Sequence, residues 1–290
     1  MKILCRFWIV LLALSLNKPC WGAKPQPSPD LSPSNPEIPF KLYAGYLIIV
    51  EGRIANHSKL KFVLDTGVTH SVVDRKLATR ISATHSSGNV LNFDKNVPAE
   101  WAEVSQVQLG PIVARNISMM VSDLRYFQSF ATRVDAVIGL DLLRLSSFSI
   151  NYGKQKISFG RVAAASGVPL NSTPVCLTAQ LKAGDILLRL IVDSGVQAVV
   201  LYEDNVVSRI PQLRMRGEVE GTSMGGYVHS KRAVMPTLRL GDTDLKGTVF
   251  LVKAPPGRVT QGIDGYLGIA ALKARRVDFD FENNTLAWRR

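Results

Sequence analysis

The sequence predicts a mainly β protein made of two similar lobes carried on one chain. Three observations carry that prediction. Apolar runs of strand length recur, broken by Gly, Asn and Asp. Few stretches keep a helical period. An internal repeat also returns four times in the same order at a nearly constant spacing.

At the N-terminus, Lys2 and Arg6 precede an apolar run over 7–16 that only Ser15 interrupts. That run falls short of the roughly 20 apolar residues a bilayer span requires, and the small residues Gly22 and Ala23 follow it. Residues 1–22 therefore read as an export signal, and the expected location is periplasmic or extracellular. An uncleaved signal would instead leave a membrane anchor. Residues 23–39 hold Pro25, Pro27, Pro29, Pro33, Pro36 and Pro39 among polar residues, the composition of an extended tether. From Phe40 onward the pattern changes to strand-like runs, for example at 47–50, 61–64 and 186–192. Short helices are expected over 72–81 and 268–273.

The repeat defines the domains. Phe62-Val63-Leu64-Asp65-Thr66-Gly67-Val68 returns 128 residues later as Leu190-Ile191-Val192-Asp193-Ser194-Gly195-Val196. Val107-Gln108-Leu109-Gly110 returns as Leu238-Arg239-Leu240-Gly241, and the run ending Val137-Ile138-Gly139 returns as Tyr266-Leu267-Gly268. Phe148-Ser149-Ile150 returns as Val277-Asp278-Phe279. Four ordered matches imply duplication, with one lobe over 40–161, a second over 175–290 and a linker of small residues over 163–174.

Composition narrows the function. Apolar content of 46% and charged content of 20% fit an ordinary globular protein. The net charge of +12 is scattered without aromatic-plus-basic clusters, so nucleic-acid binding is not expected. Such a surface suits peripheral association with anionic membrane or envelope polymers. Beyond the signal Cys176 stands alone, so no internal disulfide is expected, and its apolar run marks it as a buried thiol. His57, His70, His85 and His229 show no ligand spacing, and no metal or other cofactor is expected. Gly221-Thr222-Ser223-Met224-Gly225 matches the nucleophile elbow of hydrolases. It lacks the following helix, acid and late His that such an elbow needs.

One Asp-Thr/Ser-Gly turn is weak evidence, since Asp often caps a turn. Two such turns, each at the end of an apolar strand and each followed about 75 residues later by an apolar run ending in Gly, are specific. Over residues 40–290 this arrangement resembles the aspartic protease families, and is most similar to bacterial retropepsin-like proteases with two fused copies. The resemblance implies two pseudo-symmetric acid-protease β-barrel lobes with short helices. It also implies a dyad of Asp65 and Asp193, supported by Thr66, Gly67, Ser194 and Gly195, with the two hydroxyls cross-linking the turns. Two carboxyl groups held together share one proton, and one can then activate a water while the other polarises a peptide carbonyl. A peptide or protein is the expected substrate, and a fused duplicate is expected to act as a monomer.

Such a site also needs a cover. Lobe two offers a glycine-rich hairpin tip with Gly225, Gly226 and Tyr227; lobe one offers the less glycine-rich stretch 87–96. Val68 and Val196 stand where the family usually has Ala or Ser. They give the carboxylates no hydroxyl donor, which predicts a less acidic working pH than the Ser-containing relatives show. The alternative reading is an inactive peptide-binding or scaffold protein on the same fold.

Overall fold

The two strands that lead into the Asp turns change character along their length. In His57–Leu64 the residues Lys59, Leu60 and Lys61 alternate between exposed and buried, whereas Phe62, Val63 and Leu64 are all buried; Ile186–Asp193 does the same over Leu187 to Arg189, with Leu190 to Asp193 all buried. Alternation marks a strand with one wet face, and continuous burial marks one covered on both faces. Each strand thus carries its Asp from the surface into the interior.

The computed structural model describes residues 36–290 apart from 82–83, 93–94, 131, 163–166, 224–225, 236 and 255–261, together with two short strands, Phe7–Trp8 and Ala13–Ser15. The protein is mainly β, with its strands in two sheets and the two-lobed arrangement of an acid-protease-like fold. In lobe one, Leu47–Ile54 pairs antiparallel with His57–Leu64, and Ala136–Ile138 runs parallel to Phe62–Leu64 and antiparallel to Val72–Val73. Lobe two repeats this: Leu177–Ala183 pairs with Ile186–Asp193, and Gly265–Gly268 runs parallel to Leu190–Asp193 and antiparallel to Val199–Leu201.

Between the lobes, Phe148–Asn151 pairs antiparallel with Arg276–Asp280. Ser149 lies directly opposite Asp278, 129 positions on, and these are the two residues that the repeat itself equates. The two-fold relating the lobes therefore passes between them. Arg276 closes the buried pair, its Nε 2.7 Å from Asp278 Oδ1 and its Nη2 donating to Ser149 Oγ at 2.8 Å. Phe148 and Phe279 stack alongside at 4.8 Å. Lys156–Phe159 and Thr285–Arg289 extend this sheet on either side.

Three local readings change. Over 72–81 only Arg75–Arg80 is helical; Val72–Asp74 is strand, because the β-branched pair Val72 and Val73 is buried against Ala136 and Val137, and Asp74 caps the helix by accepting from Lys76 N at 3.1 Å. The stretch read as a linker is partly sheet: Val168–Pro169 pairs with Thr285 and Leu286, and Asn171–Ser172 pairs with Leu177 and Thr178. The strand Glu37–Tyr43 begins three residues before Phe40, where Glu37 to Pro39 pair with Lys156 to Ser158. Over 268–273 the chain forms a short 3-10 turn, Ile269–Leu272.

Each lobe also carries a long hairpin. Thr84–Asn92 pairs with Lys95–Leu109 up to the pair Asn92 and Lys95, and Arg214–Ser223 pairs with Gly226–Val234 up to the pair Ser223 and Gly226. The lobe-one stretch forms its hairpin without glycine at the last pair. A main apolar core runs through both lobes, and a smaller cluster sits around each Asp turn, one including Val68 and the other Val196. Among the described residues, no helix is long and apolar enough to cross a membrane.

Candidate active site

Both Asp turns start where an apolar strand runs out. Asp65 N donates to Ile138 O at 3.0 Å, which ties the end of the first strand to the apolar-Gly run beside it. The turn then brings its own backbone back to the side chain. Gly67 N donates to Asp65 Oδ1 at 2.9 Å, and Gly195 N donates to Asp193 Oδ1 at 2.7 Å. One donor and one acceptor are thereby matched in each lobe, inside the protein where unmatched groups are costly.

The two turns are then locked to each other. Thr66 Oγ1 donates to Val192 O at 2.9 Å, and Ser194 Oγ donates to Leu64 O at 3.0 Å. Ser194 N donates to Thr66 Oγ1 and Thr66 N donates to Ser194 Oγ, both at 3.0 Å. A further bond joins the lobes nearby, from Thr69 Oγ1 to Val175 O at 2.6 Å.

The grip presses each carboxyl group against the opposite turn. A Cβ built on Gly67 would lie 2.2 Å from Asp193 Oδ2, and one built on Gly195 would lie 2.1 Å from Asp65 Oδ2. Only a residue without a side chain allows that approach. Gly139 and Gly268 hold the matching place in the apolar-Gly runs, where an added Cβ would meet Val68 O at 2.9 Å and Val196 O at 2.3 Å.

Asp65 and Asp193 are both 0% exposed, and the Oδ2 of each is buried without a hydrogen-bond partner. Burial raises the Asp65 carboxyl well above the ordinary range, and the charge of Asp193 raises it further; the N–H groups of Gly67 and Gly195 pull the other way. Burial also raises Asp193, to about 7, against the pull of the Asp65 carboxyl and of the Gly195 and Val196 N–H groups. Two acids that cannot both ionise hold one proton between them over a wide range of pH. Such a pair can take a proton from one partner and give one to another in the same step.

Residues 50–145 match the family described as gag-polyprotein putative aspartyl protease. Lobe one is similar to a retropepsin-like aspartyl protease domain. That match contains Asp65, Thr66, Gly67 and the run ending Ile138-Gly139, and so half of the paired site. No curated protein matches the chain.

Of the glycine-rich hairpin residues, Gly226 and Tyr227 open the strand Gly226–Val234, opposite Ser223 and Thr222, and Gly225 lies outside the described residues. His70 is half-buried with its ring edge-on to Trp101 at 5.3 Å, and burial lowers its pKa against the opposing charge of Asp141. Cys176 is a buried free thiol, its pKa raised chiefly by burial. Among the described residues, no three His, Cys, Asp or Glu side chains gather as a metal site would require.

Several supporting residues escape a reading based on the repeat. Ser71 Oγ donates to Asp141 Oδ1 at 2.6 Å and Ser71 N to Asp141 Oδ2 at 2.8 Å, while Gly139 N donates to Ser71 Oγ at 3.0 Å. This brace exists in lobe one only: Val199 and Ala270 stand at the matching places in lobe two. A second brace is shared. Lys61 N donates to Asp135 Oδ2 and Arg189 N to Asp264 Oδ2, both at 2.9 Å. Asp135 and Asp264 precede the two apolar-Gly runs, so the repeat contains this signal one residue before each run. Tyr46, 1% exposed, lies within the electrostatic reach of both acids; burial raises its phenol first, then Asp193 and Asp65.

Proposed function

We propose that this protein is an aspartic endopeptidase in which Asp65 and Asp193 share one proton and hydrolyse a peptide bond. The reciprocal grip of Thr66 and Ser194 is the observation that carries the reading, because it holds two buried acids face to face through Gly67 and Gly195. The family match over lobe one supports the same chemistry.

In the proposed step the ionised carboxyl takes a proton from water, and the water oxygen bonds to the scissile carbonyl carbon. The protonated carboxyl gives its proton to the carbonyl oxygen, and a tetrahedral diol forms. As the diol collapses the C–N bond breaks, the protonated carboxyl gives its proton to the nitrogen, and the ionised carboxyl takes a proton from a diol hydroxyl, so the dyad again holds one proton. The two hairpins would cover an extended peptide and exclude bulk water. Both acids come from one chain, so the enzyme would act as a monomer, a fused two-copy relative of the retropepsin-like proteases. Export by the N-terminal segment belongs to the same proposal.

The test compares wild type with Asp65→Asn and Asp193→Asn on a peptide library, with cleavage read by mass spectrometry. Wild type should cut, and each Asn variant should lose turnover by at least about a thousandfold while still binding peptide. A wild type that binds peptides and cuts none would establish the peptide-binding alternative instead.

A further inference from the structure

The short 3-10 turn Leu124–Phe130 carries three aromatic side chains, Tyr126, Phe127 and Phe130. It is pinned to the catalytic lobe by Asp74, whose Oδ2 accepts from Leu124 N at 3.2 Å while its Oδ1 caps the helix at Lys76. Asp74 ends the strand that leaves the Asp65 turn, so the turn's position is fixed relative to Asp65. The aromatic rings pack into the cluster that holds Tyr46, Val68 and Val137. Tyr126 lies 4.2 Å from Phe127, Phe127 lies 6.2 Å from Phe130, and Tyr46 lies 6.5 Å from Phe130.

One atom in this cluster does not fit packing alone. The Tyr126 hydroxyl is fully buried and has no hydrogen-bond partner. An unmatched buried hydroxyl works against folding. Phe127 and Phe130 beside it show that this turn otherwise fills its space with rings that lack the hydroxyl. Burial and then the charges of Asp65 and Tyr46 keep the phenol protonated, so it can act as a donor at any working pH.

We propose that Tyr126 is a further substrate-contacting residue, its hydroxyl donating to a carbonyl oxygen of the peptide bound against Asp65. This rests on the endopeptidase reading. It gives lobe one a side-chain donor that lies outside both hairpins and both Asp turns. The bond would form with the peptide, so it would raise affinity without altering the protonation of the dyad.

The deciding variant is Tyr126→Phe, which removes one oxygen and leaves the ring. Three measurements are made on it and on wild type: kcat and KM on a cleaved peptide, Kd for a non-cleavable hydroxyethylene peptide isostere, and Tm. The expected result is a roughly tenfold loss in kcat/KM, mostly in KM, and a similar loss in isostere affinity, with Tm equal or higher and the pH profile unmoved. Unchanged kinetics and affinity would overturn the proposal. So would a lowered Tm that accounts for the loss, or a displaced pH profile, since the hydroxyl would then serve packing or the carboxyl groups. If wild type binds the isostere but cuts nothing, the endopeptidase reading fails and the affinity ratio still decides Tyr126. Failure of wild type to bind or cut would sink both.

Discussion

Thr66 and Ser194 hold each other twice, each backbone N–H donating to the other's hydroxyl oxygen at 3.0 Å across the lobe boundary. Each hydroxyl in turn donates to a carbonyl oxygen just before the opposite Asp turn, at Val192 and Leu64. Every polar group in this ring is buried, so removing one oxygen strands two partners.

Thr66→Val removes that oxygen at nearly constant volume. It leaves Val192 O and Ser194 N unmatched, each worth about 1–3 kcal/mol, so a loss of roughly 2–6 kcal/mol in urea unfolding is expected. Thr66→Ser keeps the oxygen and should lose less than about 1 kcal/mol. If Thr66→Val unfolds at the wild-type midpoint, the ring does not hold the lobes together.

Gly67→Ala and Gly195→Ala test the close approach directly. Each new methyl would have to displace the opposite carboxyl group, from 2.2 or 2.1 Å to at least van der Waals distance. Moving one acid by about 1 Å is enough to cost roughly a hundredfold in rate. Both variants should therefore lose peptide cleavage more than a hundredfold, and neither should be rescued by changing pH. Near-normal turnover in either would mean that the two acids do not work as a pair.

The dyad should also weaken the fold at neutral pH. An Asp in the unfolded chain ionises near 3.8, whereas burial raises both acids of the pair, Asp193 to about 7, so the pair keeps its shared proton above 3.8. Between those values the folded state binds more protons than the unfolded one, so stability falls as pH rises. Asp193→Asn removes the part of that dependence that Asp193 contributes and leaves the part from Asp65, which burial raises first. Across pH 4 to 7 its Tm should gain steadily on wild type. A constant difference in Tm over that range would show that Asp193 ionises as freely in the fold as out of it.

What the sequence made legible was whatever the duplication wrote twice. The Asp turns, the apolar-Gly runs and the central pair Ser149 and Asp278 could be aligned because both copies keep their spacing. The Ser71 and Asp141 brace was not legible that way, because Val199 and Ala270 erase it from the second copy. Tyr46 and Tyr126 escape for another reason: Tyr46 reads as one more aromatic beside an apolar run and Tyr126 as one of three aromatics in a mixed polar stretch, and only folding shows that each is buried within reach of an acid. The strand at Val72–Asp74 is hidden in the sequence because three residues are too few to show a period of two.

Ser71 carries two donors and one acceptor into the lobe-one brace, to Asp141 and from Gly139 N. Ser71→Ala keeps the backbone donor and loses the hydroxyl, leaving Gly139 N unmatched beneath the Asp65 turn. A loss of about 1–3 kcal/mol in stability is expected, with Asp141 also losing a donor that favours its charged form. Lobe two, built without this brace, supplies the control: Val199→Ala removes only apolar contact and should cost roughly 1–2 kcal/mol with no effect on the pH profile. Equal effects of the two variants on stability and on pH dependence would show that the brace is packing alone.

Val68 and Val196 are fully buried, each in the cluster around its own Asp turn, and neither has a hydroxyl to donate to a carboxylate. Both acids are raised by burial, so the single-proton state should persist toward neutral pH. The profile of kcat/KM should therefore peak well above pH 3. Val68→Ser adds a donor beside Asp65, which favours the anion and should move the acidic limb to lower pH. A wild-type peak at or below about pH 3, or an acidic limb that Val68→Ser leaves in place, would mean that burial does not govern the proton these acids share.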